Sequence, residues 1–149
     1  MTANQHFLEV ADWRAAAEEL TFKPAVPHYT AGRTLQRLAI HVRDHKRRDL
    51  PIAERTLEAH YGSFVLSEAR GRDARHRAIE TSYGQDPRDV HVGGNEGKAY
   101  EVGSEVPPDD PDGRMPAVVV WSDGDLFYLV ASGELTSDVL LRIGQSLYA

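Results

Sequence analysis

The chain of 149 residues contains no cysteine. This absence excludes disulfide bonds, thiol nucleophiles and zinc sites with cysteine ligands. Long apolar runs are also lacking, since the longest, PAVVVW and LFYLVA, fall far short of the roughly 20 residues that a membrane-spanning helix needs. The first ten residues, MTANQHFLEV, have neither the basic nor the apolar part of a secretory signal. We therefore expect no membrane span and no signal peptide in this chain.

Basic residues are outnumbered by acidic ones, 17 against 23, which gives a formal charge of -6. A negative overall field does not support general binding to nucleic acid or to anionic membranes. The hydrophobic share of 41% and the charged share of 27% are typical of globular proteins. Because the length is that of about one domain, we expect a single domain over residues 1–149 that binds no nucleic acid.

An amphipathic helix is predicted over residues 12–20. The apolar residues fall at positions i, i+3, i+4 and i+7, which are Trp13, Ala16, Ala17 and Leu20. Asp12 is placed to accept backbone N–H groups at the start of the helix. Between residues 35 and 131, alternation of apolar and polar residues predicts several antiparallel strands, among them a hairpin around Gly62 and another in DVHVGGNEGKAYEV. Proline, glycine and charged clusters predict loops at 44–53, 71–88 and 103–115.

The stretch VVVWSDGDLFYLVASGELTSDVLLRIGQSLY has the most regular pattern of the chain. Its two apolar runs flank Asp123-Gly124, a dipeptide typical of tight hairpin turns. Both runs are apolar at consecutive positions, so we expect these strands to be covered on both faces and central in the sheet. A helix over 137–148 follows, capped by Thr136 or Ser137. The residues expected to fix this part of the fold are Trp121, Asp123, Gly124, Tyr128, Leu140, Ile143 and Leu147.

Together these patterns predict an α+β fold. We expect a single antiparallel β-sheet of about six or seven strands in a meander-like order, with an N-terminal helix and a C-terminal helix packed on it. Short turns between strands exclude parallel βαβ units, which need long crossover connections.

Two loops resemble ligand-binding motifs but fail on spacing. A phosphate-binding loop at GGNEGKA would need glycine where Val92 stands and a hydroxyl residue where Ala99 stands, so a hairpin turn is the better interpretation. A calcium loop at PPDDPDG would put Pro108 at the first ligand and Val119 in place of the bidentate glutamate, so an acidic solvated loop is favoured.

The histidines suggest a second kind of metal site. His41 and His45 have the spacing of two zinc ligands on a helix, but Val42 replaces the glutamate of the zinc-protease pattern and the segment is predicted as a strand entering a loop. A metal-dependent hydrolase built on His41, His45, His60, His91 and the acidic loop is kept as an alternative. No G-x-S-x-G motif is present, and Ser63 and Ser132 are interpreted as turn residues. We predict no catalytic residue and no cofactor.

An arginine cluster is the remaining candidate binding element. Arg70, Arg72, Arg75 and Arg77 form the densest basic segment and would make an anion site if folding brought them together. Interleaved acids and the lack of aromatic residues favour solvated loops instead.

The order of these landmarks resembles the domain-of-unknown-function 4367 family over most of the chain. The resemblance is carried by Phe22, Pro27, Gly32, Trp121, Gly124, Tyr128, Leu135, Leu140, Ile143 and Ser146-Leu147. It implies a domain similar to the carboxy-terminal parts of bacterial envelope-stress regulators and, more remotely, to lipoprotein-carrier domains, located outside the cytoplasmic membrane. It implies no catalytic residues. This chain shows no anchor or sigma-factor-binding region, so without a longer anchored parent it is expected to be cytoplasmic.

Three functional hypotheses follow. The leading one is a non-enzymatic accessory or sensor domain that contacts a protein or an apolar ligand. The second is the metal-dependent hydrolase, which requires at least three of the named side chains around one pocket. The third is a structural module of a larger assembly. The sequence predicts neither the ligand nor the oligomeric state.

Overall fold

The computed structural model describes residues 6–44, 46–71, 87–101 and 116–148. These residues form one antiparallel sheet of eight strands with two short helices. Two 3-10 helices cover Ile52–Glu54 and Ser146–Tyr148. In chain order the elements are β1 (Phe7–Val10), α1 (Trp13–Glu18), β2 (Arg37–His41), β3 (Thr56–His60), β4 (Val65–Arg70), β5 (Arg88–Val92), β6 (Asn95–Tyr100), β7 (Ala117–Asp123), β8 (Leu126–Ser132) and α2 (Ser137–Gln145).

The strand order is β1-β2-β3-β4-β8-β7-β6-β5. The sheet therefore consists of two four-stranded meanders that join where β4 pairs with β8. The single antiparallel sheet with two helices agrees with the prediction, but the sheet has eight strands rather than about six or seven. β1 was missed because an edge strand of four residues offers too few positions for a recognisable alternation. The position of β8 at the middle of the sheet confirms that the β7–β8 hairpin is interior.

Both helices pack on the same face of the sheet, which we call the helix face. Ala16 of α1 and Leu140 and Ile143 of α2 are fully buried there against alternate residues of the strands. The irregular segment between α1 and β2 adds Leu20 and Phe22 to this core. The strand residues of the helix face include Leu38, Ile40, Leu57, Ala59, Leu66, Val90, Val92, Ala99, Val119, Trp121, Tyr128 and Val130.

The opposite face carries neither α1 nor α2, and we call it the second face. A smaller apolar cluster of Tyr100, Val118, Val120 and Leu129 lies on it, with Ala131 packed against the cluster. The apolar residues at consecutive positions in β7 thus serve two separate cores, as the sequence predicted for a strand covered on both sides.

Two glycine-containing turns shape the half of the sheet formed by β5 to β8. Gly93 and Gly94 both have positive φ, 59° and 83°, in the two-residue turn between β5 and β6. The β7–β8 turn consists of Gly124 and Asp125, because Asp123 pairs with Leu126 as the last position of the ladder. The predicted turn at Asp123-Gly124 is therefore wrong by one residue. Gly124, with φ of 62°, occupies its first position, where glycine is favoured.

The helix caps follow the local sequence. The Asp12 carboxylate accepts from the Ala15 N–H at 2.8 Å, and the Thr136 hydroxyl accepts from the Val139 N–H at 3.4 Å. Both helices are shorter than predicted: α1 ends at Glu18 rather than residue 20, and α2 gives way to a 3-10 helix after Gln145 rather than continuing to 148. No helix among the described residues is long and apolar enough to cross a membrane.

Candidate functional site

Five of the seven residues expected to fix the C-terminal fold pack together on the helix face: Trp121, Tyr128, Leu140, Ile143 and Leu147. Trp121 is 2% exposed and its ring stacks on that of Tyr128, with 5.1 Å between centroids and 10° between planes. The Trp121 indole N–H donates to the Tyr148 hydroxyl at 3.0 Å. Gly144 of α2 lies directly over the indole, since a Cβ added there would come within 2.8 Å of Trp121 Cη2. These contacts fill the core around the Trp121 ring on the helix face.

The other predicted residues of this stretch have structural surroundings too. Leu140 and Ile143 are fully buried, and Leu147 packs against the same core while partly exposed. Asp123 ends β7 opposite Leu126, and Gly124 opens the turn. The Asp123 carboxylate forms a hydrogen bond with the Tyr148 hydroxyl, which also accepts from the Trp121 indole, so Asp123 helps to hold the C-terminal turn on the sheet.

The arginine cluster is described only at Arg70. Its guanidinium pairs with the Asp125 carboxylate at 3.2 Å, beside the β7–β8 turn, and its side chain is partly exposed. Arg72, Arg75 and Arg77 lie outside the described residues, and so does the whole acidic loop at 103–115. The described part of the predicted anion site is therefore a surface ion pair.

The histidines do not converge within the described residues. His41 packs against Phe7 near the β1 edge, with 5.1 Å between centroids and the rings tilted by 32°, while His91 lies on β5 at the opposite edge of the sheet. His60 pairs with Glu58 at 3.0 Å, and burial lowers its pKa. His45 lies outside the described residues. Across the ranges that are described, no group of three or more histidine, aspartate or glutamate side chains is arranged to hold a metal ion.

A groove of about 600 Å³ lies over β5 to β8 and opens on the second face. Its apolar lining includes the half-buried Phe127 and, at the base, Val120, which belongs to the apolar cluster of that face and is only 4% exposed. Ser122 pairs with Phe127 across the β7–β8 ladder and is exposed in the groove. The volume falls in the usual range for small-molecule pockets, and the mixture of apolar lining with a few polar groups is typical of them.

Charged side chains of β5 and β6 form the rim of this groove. Lys98 and Asp89 face each other across the two strands and form an ion pair. Their hydrogen bond raises the pKa of Lys98 and lowers the pKa of Asp89. Glu96, opposite His91 in the ladder, adds a second carboxylate to the rim. Because Lys98 is already paired with Asp89, the rim retains a negative charge and favours an occupant whose polar end is neutral or cationic.

A buried carboxylic acid is the second unusual feature of the molecule. Glu68 of β4 is 1% exposed on the helix face, and burial raises its pKa from an ordinary 4.5 to about 8. The Ala25 N–H, which donates to Oε1 at 2.7 Å, opposes this rise only in part. Glu68 therefore retains its proton at neutral pH, in contrast to a glutamate in water.

Neither the groove nor the burial of Glu68 was predicted from the sequence. The groove combines residues of two hairpins, β5–β6 and β7–β8, and no local motif marks the surface that they form together. For Glu68 a signal existed, since it takes an apolar position between Leu66 and the end of β4. The interruption of an alternating strand by an acid is a recognisable hint of a buried polar group.

Comparison of the chain with models of protein families, with curated proteins and with solved structures finds no match. The resemblance to the domain-of-unknown-function 4367 family therefore remains a prediction from the residues quoted above.

Proposed function

We propose that this chain is a non-enzymatic binding module of the accessory or sensor kind, and that the groove on the second face receives an apolar group of a partner. The observation that carries the proposal is the combination of an open volume of about 600 Å³ with the apolar side chains of Val120 and Phe127. Burying apolar surface in such a groove supplies affinity without catalytic residues.

The negative rim narrows the class of occupant. An aliphatic or aromatic group attached to a neutral or positively charged polar part would place its apolar end against Phe127 and its polar end near Glu96. Both a side chain of a protein partner and a small amphipathic molecule fit this description. A location outside the cytoplasmic membrane, implied by the family resemblance, remains part of the proposal.

Filling the groove tests the proposal. In Ser122→Trp the new indole occupies the space beside Phe127, and because Ser122 is exposed, the substitution leaves the core intact. We expect the affinity for Nile red, a neutral apolar probe, to fall by about tenfold or more, since burial of one large apolar group is worth about 1.5–3 kcal/mol. Fluorescence titration measures this change.

The matched control is Glu134→Trp, which adds the same indole at an exposed position in the β8–α2 loop. It should bind Nile red as the unmodified protein does. Equal affinity of Ser122→Trp and Glu134→Trp would show that the groove is not the binding surface. Circular dichroism of both variants verifies that the fold is retained.

Native mass spectrometry of the purified protein separates the remaining hypotheses. A retained small organic mass that is lost in Ser122→Trp supports ligand binding in the groove. A retained metal ion would replace the proposal with the metal-dependent enzyme. Self-association in size-exclusion chromatography would favour the structural module.

A further inference from the structure

Glu68 lies in the middle of the main core. Its neighbours across the ladder on the helix face are Leu57 on β3 and Tyr128 on β8. Transfer of a carboxyl group from water into such surroundings costs free energy unless both oxygens find partners. Only Oε1 has one, the Ala25 N–H at 2.7 Å, while Oε2 is buried without a hydrogen-bond partner among the described residues.

Ala25 belongs to the irregular segment of residues 21–36 that crosses the helix face between α1 and β2, which we call the strap. The strap contains buried Phe22, Pro24 and Pro27, yet it has no helix or strand of its own. Its later part is held elsewhere: the Tyr29 carbonyl accepts from the Ser146 hydroxyl at 3.3 Å, and the Arg142 guanidinium lies 4.3 Å from the centre of the Tyr29 ring. The Glu68 carboxyl thus ties the early part of the strap to the sheet.

The groups around Glu68 leave its charge uncompensated. Tyr128 from β8 and Tyr61 from the β3–β4 turn are the titratable neighbours that interact with it, and burial keeps both phenols neutral by raising their pKa values. From the strap, Lys23 and His28 are exposed. The next cation on β4 is Arg70, which is paired with Asp125. Arg55, which precedes β3 and is partly buried, is paired with Glu19. Burial and the Ala25 hydrogen bond are the influences on the Glu68 pKa, and no cation among the described residues lowers it.

From this arrangement we infer that Glu68 is a proton-controlled latch, which holds the strap on the sheet when protonated and releases it when ionised. Release hydrates the carboxylate and uncovers the apolar surface that Phe22 covers on the helix face. Protonation closes the strap again. This regulatory device is independent of the groove on the second face.

The direction of the effect follows from proton linkage. In the closed state the Glu68 pKa is about 8, and in an open, hydrated state it returns to about 4.5. The open state therefore binds fewer protons between these values, so each pH unit in this window favours opening by up to about tenfold. Below about pH 4.5 the carboxyl is protonated in both states and the strap stays closed.

Hydrogen exchange measured by NMR tests the latch, with the Ala25 amide as the probe. After correction for the intrinsic exchange rate, we expect its protection factor to fall by roughly several hundredfold between pH 5 and pH 8, as the linkage requires. The Val130 amide, in the buried centre of β8, reports global unfolding and should stay better protected at every pH.

Two variants complete the test. In Glu68→Gln the side-chain carbonyl keeps the Ala25 hydrogen bond but cannot ionise, so the pH dependence should disappear. Glu58→Gln, the same change at a buried glutamate on the second face, should retain it. A pH-independent Ala25 protection factor in the unmodified protein, or one equal to that of Val130 throughout, would overturn the latch.

Discussion

Replacement of Gly144 by alanine tests the packing of α2 on Trp121. In an exposed helix the change stabilises by up to about 1 kcal/mol, because alanine has the higher helix propensity. Gly144 is buried, however, and its added Cβ would come within 2.8 Å of Trp121 Cη2, 3.0 Å of Cζ3 and 3.3 Å of Val92 Cγ1. Two opposing effects therefore act at one position.

The structure indicates that the steric effect is larger. The indole is fixed on one side by the Tyr128 ring and at its nitrogen by the Tyr148 hydroxyl, so it is not free to move away. Overpacking of a well-filled core costs typically about 1–3 kcal/mol. We expect a net loss of about 1 kcal/mol, which for a chain of this size lowers the melting temperature by about 2–4 °C.

Urea denaturation followed by circular dichroism measures the free energy of unfolding. Gly133→Ala is the matched control, because the added Cβ there meets nothing within 4 Å, and it should leave stability almost unchanged. In a Trp121→Phe background, which lacks the distal indole atoms, Gly144→Ala should no longer destabilise. A Gly144→Ala variant that is more stable than the unmodified protein would refute the close packing of α2 on Trp121.

Two further predictions concern single side chains. The Glu68 carboxyl should contribute most to stability below about pH 4.5. This contribution should fall by about 5 kcal/mol as the pH rises through about 8, because burial raises the folded-state pKa from 4.5 to about 8. Urea denaturation across this range should give Glu68→Gln a shallower pH dependence, and parallel curves would contradict the assignment. Tyr148→Phe removes the hydroxyl that accepts from the Trp121 N–H, so the free energy of unfolding should fall by about 1 kcal/mol. Thermal unfolding measures this change, and an unchanged melting temperature would show that the hydrogen bond does not stabilise the fold.

The elements that were predicted well depend on local patterns. Asp12 and Thr136 cap the helices because their side chains reach backbone N–H groups only three residues away. Likewise the turn of Gly93 and Gly94 needs only two residues that tolerate positive φ. The one-residue error in the β7–β8 turn shows where local patterns stop being sufficient. The register between the two strands decides which residues form the turn, and the turn dipeptide alone does not specify that register.

The missed features depend on partners that are distant in the chain. β1 exists because Phe7 to Val10 pair with β2, some thirty residues later, and four residues alone do not specify a strand. The buried state of Glu68 depends on the strap residue Ala25, 43 positions away, and on Tyr128 of the joining strand β8. A local sequence pattern cannot predict contacts between residues that lie so far apart in the chain.

The sequence by itself determined the antiparallel sheet, the two amphipathic helices, their caps and the interior position of β8, because periodicity and turn chemistry act over a few residues. Only the tertiary structure decided that β4 joins β8 and that both helices share one face. It also formed the groove beside Val120 and enclosed Glu68 beneath the strap. The reason is physical: burial and the environment of a charge depend on which distant segments pack together, and neighbouring residues do not fix that choice.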